Sequence, residues 1–220
     1  MIFSHNFSFT NLPVSVTIVT PHNYNRQYSY TNGVTKGGFC FEQYRTKKFN
    51  QQCLYTALMQ MSNKKTIDSI TIGELCDYAG VSRMTYYRSY TSKEEILLQH
   101  LEECFVRFTS QLEAKKIHTH YDMACIFFKF WQLEEKEFLS TLLRSGLSMQ
   151  LMEKFYYYLE LFYQKIEPSQ NVTPYVRSFL AGGLYKLLVD WIKDDCSIPV
   201  EELAGFLSIG GDTLLQTYTK

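Results

Sequence analysis

From Tyr44 onward the chain repeats apolar residues at intervals of three and four, the spacing that places them on one face of a helix. The first such series predicts a helix that ends near Asn63 and contains Phe49, Cys53, Ala57, Leu58 and Met61. Residues 1 to about 42 differ, because they are rich in Ser, Asn, Thr and Tyr, carry almost no charge and show no such periodicity. The pattern predicts a disordered leader over residues 1–43. Two explanations stay open: a flexible leader, or a start site placed too far upstream.

Two short helices are predicted after the first one. The segment Thr71-Ile72-Gly73-Glu74 has the T-x-x-E pattern of a capping box and opens the second helix, and Gly80 can adopt the left-handed conformation at its end. Ser82 is an N-cap candidate for the third helix, which should reach about Tyr90. Another capping box, Ser92-Lys93-Glu94-Glu95, opens a long fourth helix with no real loop before it.

The helical pattern continues to the end of the chain, with prolines in or next to the breaks. Further helices are predicted at residues 120–132, 134–145, 147–166, 174–194 and 199–217. No segment after the leader alternates like a β-strand. We therefore expect an all-α protein, with a three-helix N-terminal module of the helix-turn-helix kind followed by a C-terminal helical bundle.

Charge separates these two parts, although the formal net charge of the chain is zero. From Arg45 to Lys93 there are eight basic against three acidic side chains, an excess of +5. From Glu94 to the end, twelve basic side chains meet eighteen acidic ones, giving −6. This asymmetry is expected when only the first part meets phosphate. It predicts a DNA-binding domain at 44–92 and an effector-binding and dimerisation domain at 93–220.

The sequence shows no motif that is typical of a membrane protein, a metal-binding protein or an enzyme. There is no run of eighteen apolar residues and no signal peptide, which predicts a cytoplasmic protein without membrane contact. The six cysteines are irregularly spaced and show no metal-ligand rhythm with the histidines, so we expect free thiols and no metal site. Neither a phosphate-binding glycine loop nor a nucleophile elbow is present. We expect no enzyme, no catalytic residues and no cofactor.

The central segment resembles the helix-turn-helix signature of the TetR family of transcriptional regulators. The resemblance rests on Ile70-Thr71-Ile72, on the stretch from Cys76 to Ser82, on Thr85 to Tyr90 and on Lys93 to Leu97. Two later segments, Phe138 to Gly146 and Phe179 to Trp191, resemble one of the small C-terminal domain types of the same family. The chain departs from the commoner pattern at Ser89, where a His often stands, and at Gly73, inside a helix.

The helix-turn-helix arrangement predicts which side chains meet DNA. Val81, Tyr86 and Tyr90 share a face and should hold the third helix against the first two. The resemblance assigns Tyr87 to a backbone phosphate and Thr85 to base edges or phosphate, and the helix dipole should assist Lys93 in meeting phosphate. The predicted DNA-binding residues are Thr71, Ser82, Arg83, Met84, Thr85, Tyr87, Arg88 and Lys93.

The C-terminal part is unusually aromatic, which has two explanations. One is a hydrophobic effector pocket, for which the candidates are Phe105, Phe127, Trp131, Phe155, Tyr158 and Phe162. The other is that these aromatics fill the core and the dimer seam. The resemblance also implies a four-helix dimer bundle built from the last two long helices, with Phe179, Gly182, Gly183, Leu187, Leu203 and Phe206 as candidates. The glycine pair could equally serve an intramolecular helix crossing.

Together these features predict a homodimeric transcriptional regulator that binds a palindromic operator in double-stranded DNA. Repression is favoured over activation, with release by a small hydrophobic ligand. The alternative is a DNA-binding regulator without a ligand pocket, controlled by a protein partner. A cavity of roughly 300 Å³ or more among helices five to eight would discriminate between them.

Overall fold

The computed structural model describes residues 36–115, 119–166 and 173–218. Within these ranges the chain forms nine α-helices and no strand, which confirms the all-α prediction. The helices are α1 (Lys36–Ser62), α2 (Ile72–Ala79), α3 (Arg83–Tyr87), α4 (Glu94–Ala114), α5 (His120–Leu133), α6 (Lys136–Arg144), α7 (Ser148–Ile166), α8 (Pro174–Lys193) and α9 (Val200–Tyr218). A single 3-10 turn, Ile67–Ser69, lies between α1 and α2.

The first helix begins earlier than the sequence predicted. It starts at Lys36, so residues 36–43 of the expected disordered leader are helical, while residues 1–35 lie outside the described residues. Phe49, expected on the buried face, is exposed, whereas Ala57 and Leu58 are buried as predicted, together with Leu54. Once a helix is nucleated, each further residue adds a hydrogen bond, so a helix can extend into sequence that has no apolar stripe.

The caps of α2 follow the sequence prediction. Thr71 and Glu74 form the complete capping box, and Gly80 ends the helix with a φ of 64°.

The entry into α4 differs from the prediction. Helix α3 ends at Tyr87 rather than near Tyr90, and a turn separates it from α4. Only half of the second capping box forms: the backbone N–H of Glu95 donates to Ser92 Oγ at 3.3 Å. The Glu95 carboxylate accepts from the backbone N–H of Thr91 instead, at 2.7 Å, which shifts the reciprocal bond by one residue.

Helix α4 connects the N-terminal helices α1–α3 to the C-terminal helices α5–α9. Near its start, Ile96 and Leu97 are buried in the core that α1–α3 surround. Further along, Cys104 and Phe105 are buried where α4 packs against α5 and α7. A shift of α4 would therefore alter packing contacts in both the N-terminal and the C-terminal helices.

Helix α5 forms the centre of the C-terminal helices. Its buried side chains are Ala124, Phe127, Phe128, Phe130 and Trp131. Helix α9 packs along α5, and α8 packs between α7 and α9. None of the described helices combines the length and apolar character needed to span a bilayer.

Candidate nucleic-acid interface

Helix α3 is held in place by the residues that the sequence assigned to the core. Val81, Tyr86 and Tyr90 are all buried, and Tyr86 is completely inaccessible to solvent. Burial raises the pKa of both Tyr86 and Tyr90 to about 12, because the charged form of each phenol is poorly solvated in the core. At the start of the helix, Ser82 Oγ accepts a hydrogen bond from the backbone N–H of Thr85 at 3.2 Å. These contacts fix which face of α3 points outward.

The outward face of α3 carries Arg83, Met84, Tyr87 and Arg88, all exposed. Met84 is 66% exposed and Tyr87 57%, so both large side chains lie on the surface beside the two arginines. Thr85 is half-buried, and its hydroxyl lies 2.8 Å from that of Ser82. The helix thus presents two guanidinium groups, a phenol and a thioether together, a combination that can contact both phosphates and base edges.

The Thr71 side chain caps helix α2, whereas the sequence predicted that it contacts DNA. Its Oγ accepts from the backbone N–H of Glu74 and donates to the Glu74 carboxylate. That carboxylate also pairs with Lys65 at 3.0 Å, and its hydrogen bonds from Thr71 and Lys65 lower the pKa of Glu74 to about 2. A negative charge therefore already occupies the N-terminus of α2. The phosphate contact predicted for Thr71 is not supported by this arrangement, because the carboxylate would repel phosphate.

Lys93 also differs from its prediction. Its ammonium donates to the backbone carbonyls of Ile67 and Ile70, each at 2.6 Å, and to that of Asp68 at 3.3 Å. An ammonium has three donors, and all three are used here. In this conformation Lys93 braces the turn before α2 and has no N–H left for a phosphate. The sequence could not reveal this, because the three acceptors are backbone carbonyls that lie more than twenty positions away.

The structure offers an explanation for the glycine at position 73, which the sequence did not. A Cβ at this position would lie 2.5 Å from a terminal nitrogen of Arg83, so the guanidinium occupies the space above the glycine backbone. The residue that breaks the helical preference of α2 therefore sets where Arg83 can lie. Gly73 was noted in the sequence only as a poor helix former.

The residues predicted to bind an effector form a packed core instead. Phe105, Phe127, Trp131 and Phe155 are buried, and their rings meet edge to face or stacked, with centroids 5.3–6.4 Å apart. Tyr158 stacks on Phe105 at 4.5 Å, and the side chain of Phe162 lies outside the described residues. The described rings fill each other's space, which supports the second explanation of the aromatic content, a filled core.

A cavity among the described residues lies elsewhere. It has a volume of about 630 Å³ and lies between the end of α4 and α5. Its lining is Gln111, Lys115, Asp122, Cys125, Ile126, Lys129, Phe130, Leu133 and Glu134. None of the six predicted effector residues belongs to it, and its charged rim differs from the apolar pocket that was expected.

The predicted dimer residues divide into two groups. Phe179 and Phe206 are 67% and 57% exposed, Gly183 is exposed, and Gly182 and Leu187 are half-buried. Leu203 is only 3% exposed and packs into the core of its own chain, so its assignment to the dimer interface is wrong. Helices α8 and α9 also expose Tyr175 and Ile209, which were not among the predicted residues.

A buried polar cluster, not predicted from the sequence, joins α4 to the start of α6. Glu135 is 4% exposed; one carboxylate oxygen lies 2.9 Å from His100 Nε2, and the other accepts from Arg107. Burial alone would raise the pKa of Glu135, but His100 and Arg107 outweigh it and hold that pKa below its ordinary value. Cys104, one turn after His100, is also buried here. The spacing of His100 and Cys104 was a usable signal, since residues four apart share a helix face.

Comparisons with known proteins concern the C-terminal helices and the overall fold. Residues 119–209 match a TetR-type family described as a transcriptional regulator C-terminal region. No curated protein sequence matches the chain.

Solved structures show the same fold at low sequence identity. Lin0861 from Listeria innocua superimposes with a TM-score of 0.66 at 17% identity, covering 84% of this chain and 96% of its own. The dihydroxyacetone kinase operon activator DhaS gives 0.56 at 12%, covering 78% and 98%. NalD, the secondary repressor of the MexAB-OprM multidrug efflux pump in Pseudomonas aeruginosa, gives 0.52 at 13%, covering 80% and 98%.

Proposed function

We propose that this chain is a TetR-type transcriptional regulator, as the match over residues 119–209 supports, and that it binds a specific operator in double-stranded DNA through helix α3. The observation that carries this proposal is the exposed face of α3, where Arg83, Met84, Tyr87 and Arg88 project together from a stretch with an excess of positive charge. Arg83 and Thr85 would read base edges, and Tyr87 and Arg88 would position the helix on phosphates. In this proposal the protein acts by binding DNA, and it does so in the cytoplasm.

The division of labour along the chain forms part of this proposal. Residues 44–92 bind DNA, and residues 93–220 carry dimerisation and the response to a signal. Helix α4 crosses between the two, since its start is buried with α1–α3 and its later turns with α5 and α7. A displacement of α4 would change the spacing of two recognition helices relative to one DNA turn of about 34 Å.

Dimerisation through α8 and α9 is supported by the apolar side chains that these helices expose. Phe179, Phe206 and Ile209 are each more than half exposed. A homodimer that covers them would bind a palindromic site. Phe206→Glu should convert the dimer to monomer in sedimentation velocity. Leu133→Glu, which alters an equally exposed apolar residue of α5, is the control and should leave the dimer intact. A dimer that survives Phe206→Glu would place the interface elsewhere.

Repression is the sense of regulation that we propose, because a dimer on an operator excludes other proteins from the DNA that it covers. The similar structures include one whose title names an activator and one whose title names a repressor. A reporter joined to the operator distinguishes the two. Loss of the regulator should raise transcription, and a fall would mean activation.

A second proposal concerns the signal. The aromatic rings around Trp131 pack against one another, which disfavours an apolar ligand at the positions predicted for it. We therefore propose control by a protein partner rather than release by a small hydrophobic ligand. A panel of apolar ligands should leave the melting temperature unchanged. A rise in that temperature that saturates with ligand would restore the hydrophobic effector.

Operator binding by variants of α3 tests the residue roles. Tyr87→Phe should weaken binding to all DNA sequences by a similar factor, because it removes a phosphate contact. Arg83→Ala or Thr85→Ala should change the preference among sequences, with about 1–3 kcal/mol lost at the affected base pair. Binding profiles measured on randomised operators separate the two effects. The reverse partition would overturn the assignment.

A further inference from the structure

The cluster between α4 and α6 brings together three side chains whose donor atoms suit a metal ion. His100 Nε2, Cys104 Sγ and a carboxylate oxygen of Glu135 all lie within 4.8 Å of one another. Two of these ligands are one turn apart on α4, and the third immediately precedes α6. Cys104 and Glu135 are buried and His100 is half-buried, so the donors face each other rather than solvent.

The rings around His100 hold it in a fixed orientation. Tyr55 stacks on the imidazole with ring centroids 3.9 Å apart, and Phe138 meets it edge to face at 4.5 Å. A ligand that is already oriented loses little freedom when an ion binds. The existing contact between His100 Nε2 and Glu135 is 2.9 Å long, and an ion bound to both atoms needs them only slightly further apart.

Arg107 places a positive charge close to the three side chains, and a bound cation has to avoid electrostatic repulsion from it. Its guanidinium donates to one oxygen of Glu135 and lies 3.4 Å from Cys104 Sγ. The other oxygen of Glu135 faces His100, so an ion between His100 and that oxygen leaves the Arg107 bond in place. Metal-bound carboxylates are commonly hydrogen-bonded in this way by a second residue. The nearby guanidinium also stabilises the thiolate that Cys104 has to become.

We propose that His100, Cys104 and Glu135 bind a divalent transition-metal ion of borderline softness, such as Zn²⁺ or Co²⁺. One imidazole nitrogen, one thiolate and one carboxylate oxygen form the three-ligand set that such ions accept, with water as the fourth ligand. On binding, the ion replaces the proton of the Cys104 thiol, which passes to solvent.

Such a site would fix α4 to the start of α6. The connection matters because α4 also enters the core of the N-terminal helices, through Ile96 and Leu97. The binding site itself requires no DNA, so it stands independently of the proposed operator binding.

Cobalt titration of the full-length protein tests the site. Protein freed of metal by a chelator is titrated with Co²⁺, and the absorption spectrum is recorded. We expect a sulfur-to-cobalt charge-transfer band that saturates at one equivalent per chain. Cys104→Ser should abolish the band, whereas Cys53→Ser, which changes a half-buried cysteine of α1, should retain it. No saturable band, or a band that persists in Cys104→Ser, would overturn the proposal.

A second variant keeps the test decisive if Cys104→Ser fails to fold. His100→Gln retains the thiol and the carboxylate but removes the imidazole. We expect its Co²⁺ affinity to fall by more than about tenfold, while circular dichroism shows an unchanged helical content. Unchanged affinity would exclude His100 as a ligand and overturn the site as proposed.

Discussion

Helix α3 of the N-terminal part and helix α5 of the C-terminal part place their large side chains in opposite ways. Helix α3 exposes Met84 and Tyr87 while burying only Tyr86, whereas α5 buries Phe127, Phe128, Phe130 and Trp131. In α3, the exposed side chains remain available to contact a partner. In α5, the aromatic side chains stabilise the core, since each ring buries a large surface and packs edge to face with its neighbours.

The difference teaches how to interpret an aromatic-rich segment. Aromatic content alone does not distinguish a binding pocket from a core, because both bury the same side chains. The direction in which the rings point decides the matter. In α3 the aromatic Tyr87 points outward beside arginines, and in α5 the rings point at each other.

The largest expected effect concerns the aromatic core. Phe127→Ala should lower the free energy of unfolding by about 3–5 kcal/mol, because it opens a cavity in a packed interior. Chemical denaturation measures this loss. Leu133→Ala, on the exposed side of the same helix, is the control and should change stability by less than about 0.5 kcal/mol. A small loss for Phe127→Ala would mean that the residue borders an open pocket.

The next effect concerns Lys93. Lys93→Ala should lower the free energy of unfolding by about 1–3 kcal/mol, because it leaves the carbonyls of Ile67 and Ile70 without their donor. The exposed Lys64→Ala serves as the matched control in the same denaturation experiment. If Lys93→Ala instead kept full stability and reduced the salt dependence of DNA binding, Lys93 would be a phosphate contact after all.

A smaller effect should appear in the pH dependence of stability. The pKa of Glu74 is lowered from 4.5 to about 2 in the folded protein, so the unfolded state binds the proton more readily. The stabilisation is therefore present above pH 4.5 and is lost as the pH falls towards 2. The difference in unfolding midpoint between the natural chain and Glu74→Gln should shrink over that window. A difference independent of pH would show that the charge of Glu74 contributes nothing.

The smallest effect on stability, with a clear effect on recognition, should come from Gly73→Ala. The added methyl displaces the Arg83 guanidinium, which is flexible, so stability should change by at most about 1 kcal/mol. The preferred base at the Arg83 contact should change, as measured by binding to randomised operators. An unchanged preference would show that Gly73 does not set the position of Arg83 on DNA.

The sequence predicted the all-α fold and the presence of helix α3 because both depend on local patterns. The capping box at Thr71, the N-cap at Ser82 and the core positions Tyr86 and Tyr90 follow from spacing within a few residues. The C-terminal helices were placed to within about two residues for the same reason, since apolar periodicity marks helices.

What the sequence could not predict depends on contacts between distant residues. Lys93 bonds to carbonyls near Ile67, and Glu135 meets His100 across thirty-five positions. Leu203 and Phe206 look alike in sequence, yet one faces the core of the chain and the other faces outward. Their orientations follow from how α9 packs against α5.

Selection of genomic DNA fragments by the purified protein tests the central claim most directly. Fragments are incubated with the natural chain at moderate salt, and those retained are sequenced, with Arg83→Ala treated in parallel. The account predicts an inverted repeat whose half-sites are separated by about one DNA turn, and an altered preference within each half-site for the variant. Recovery of random DNA by the natural chain, with the same profile for the variant, would contradict sequence-specific binding through α3.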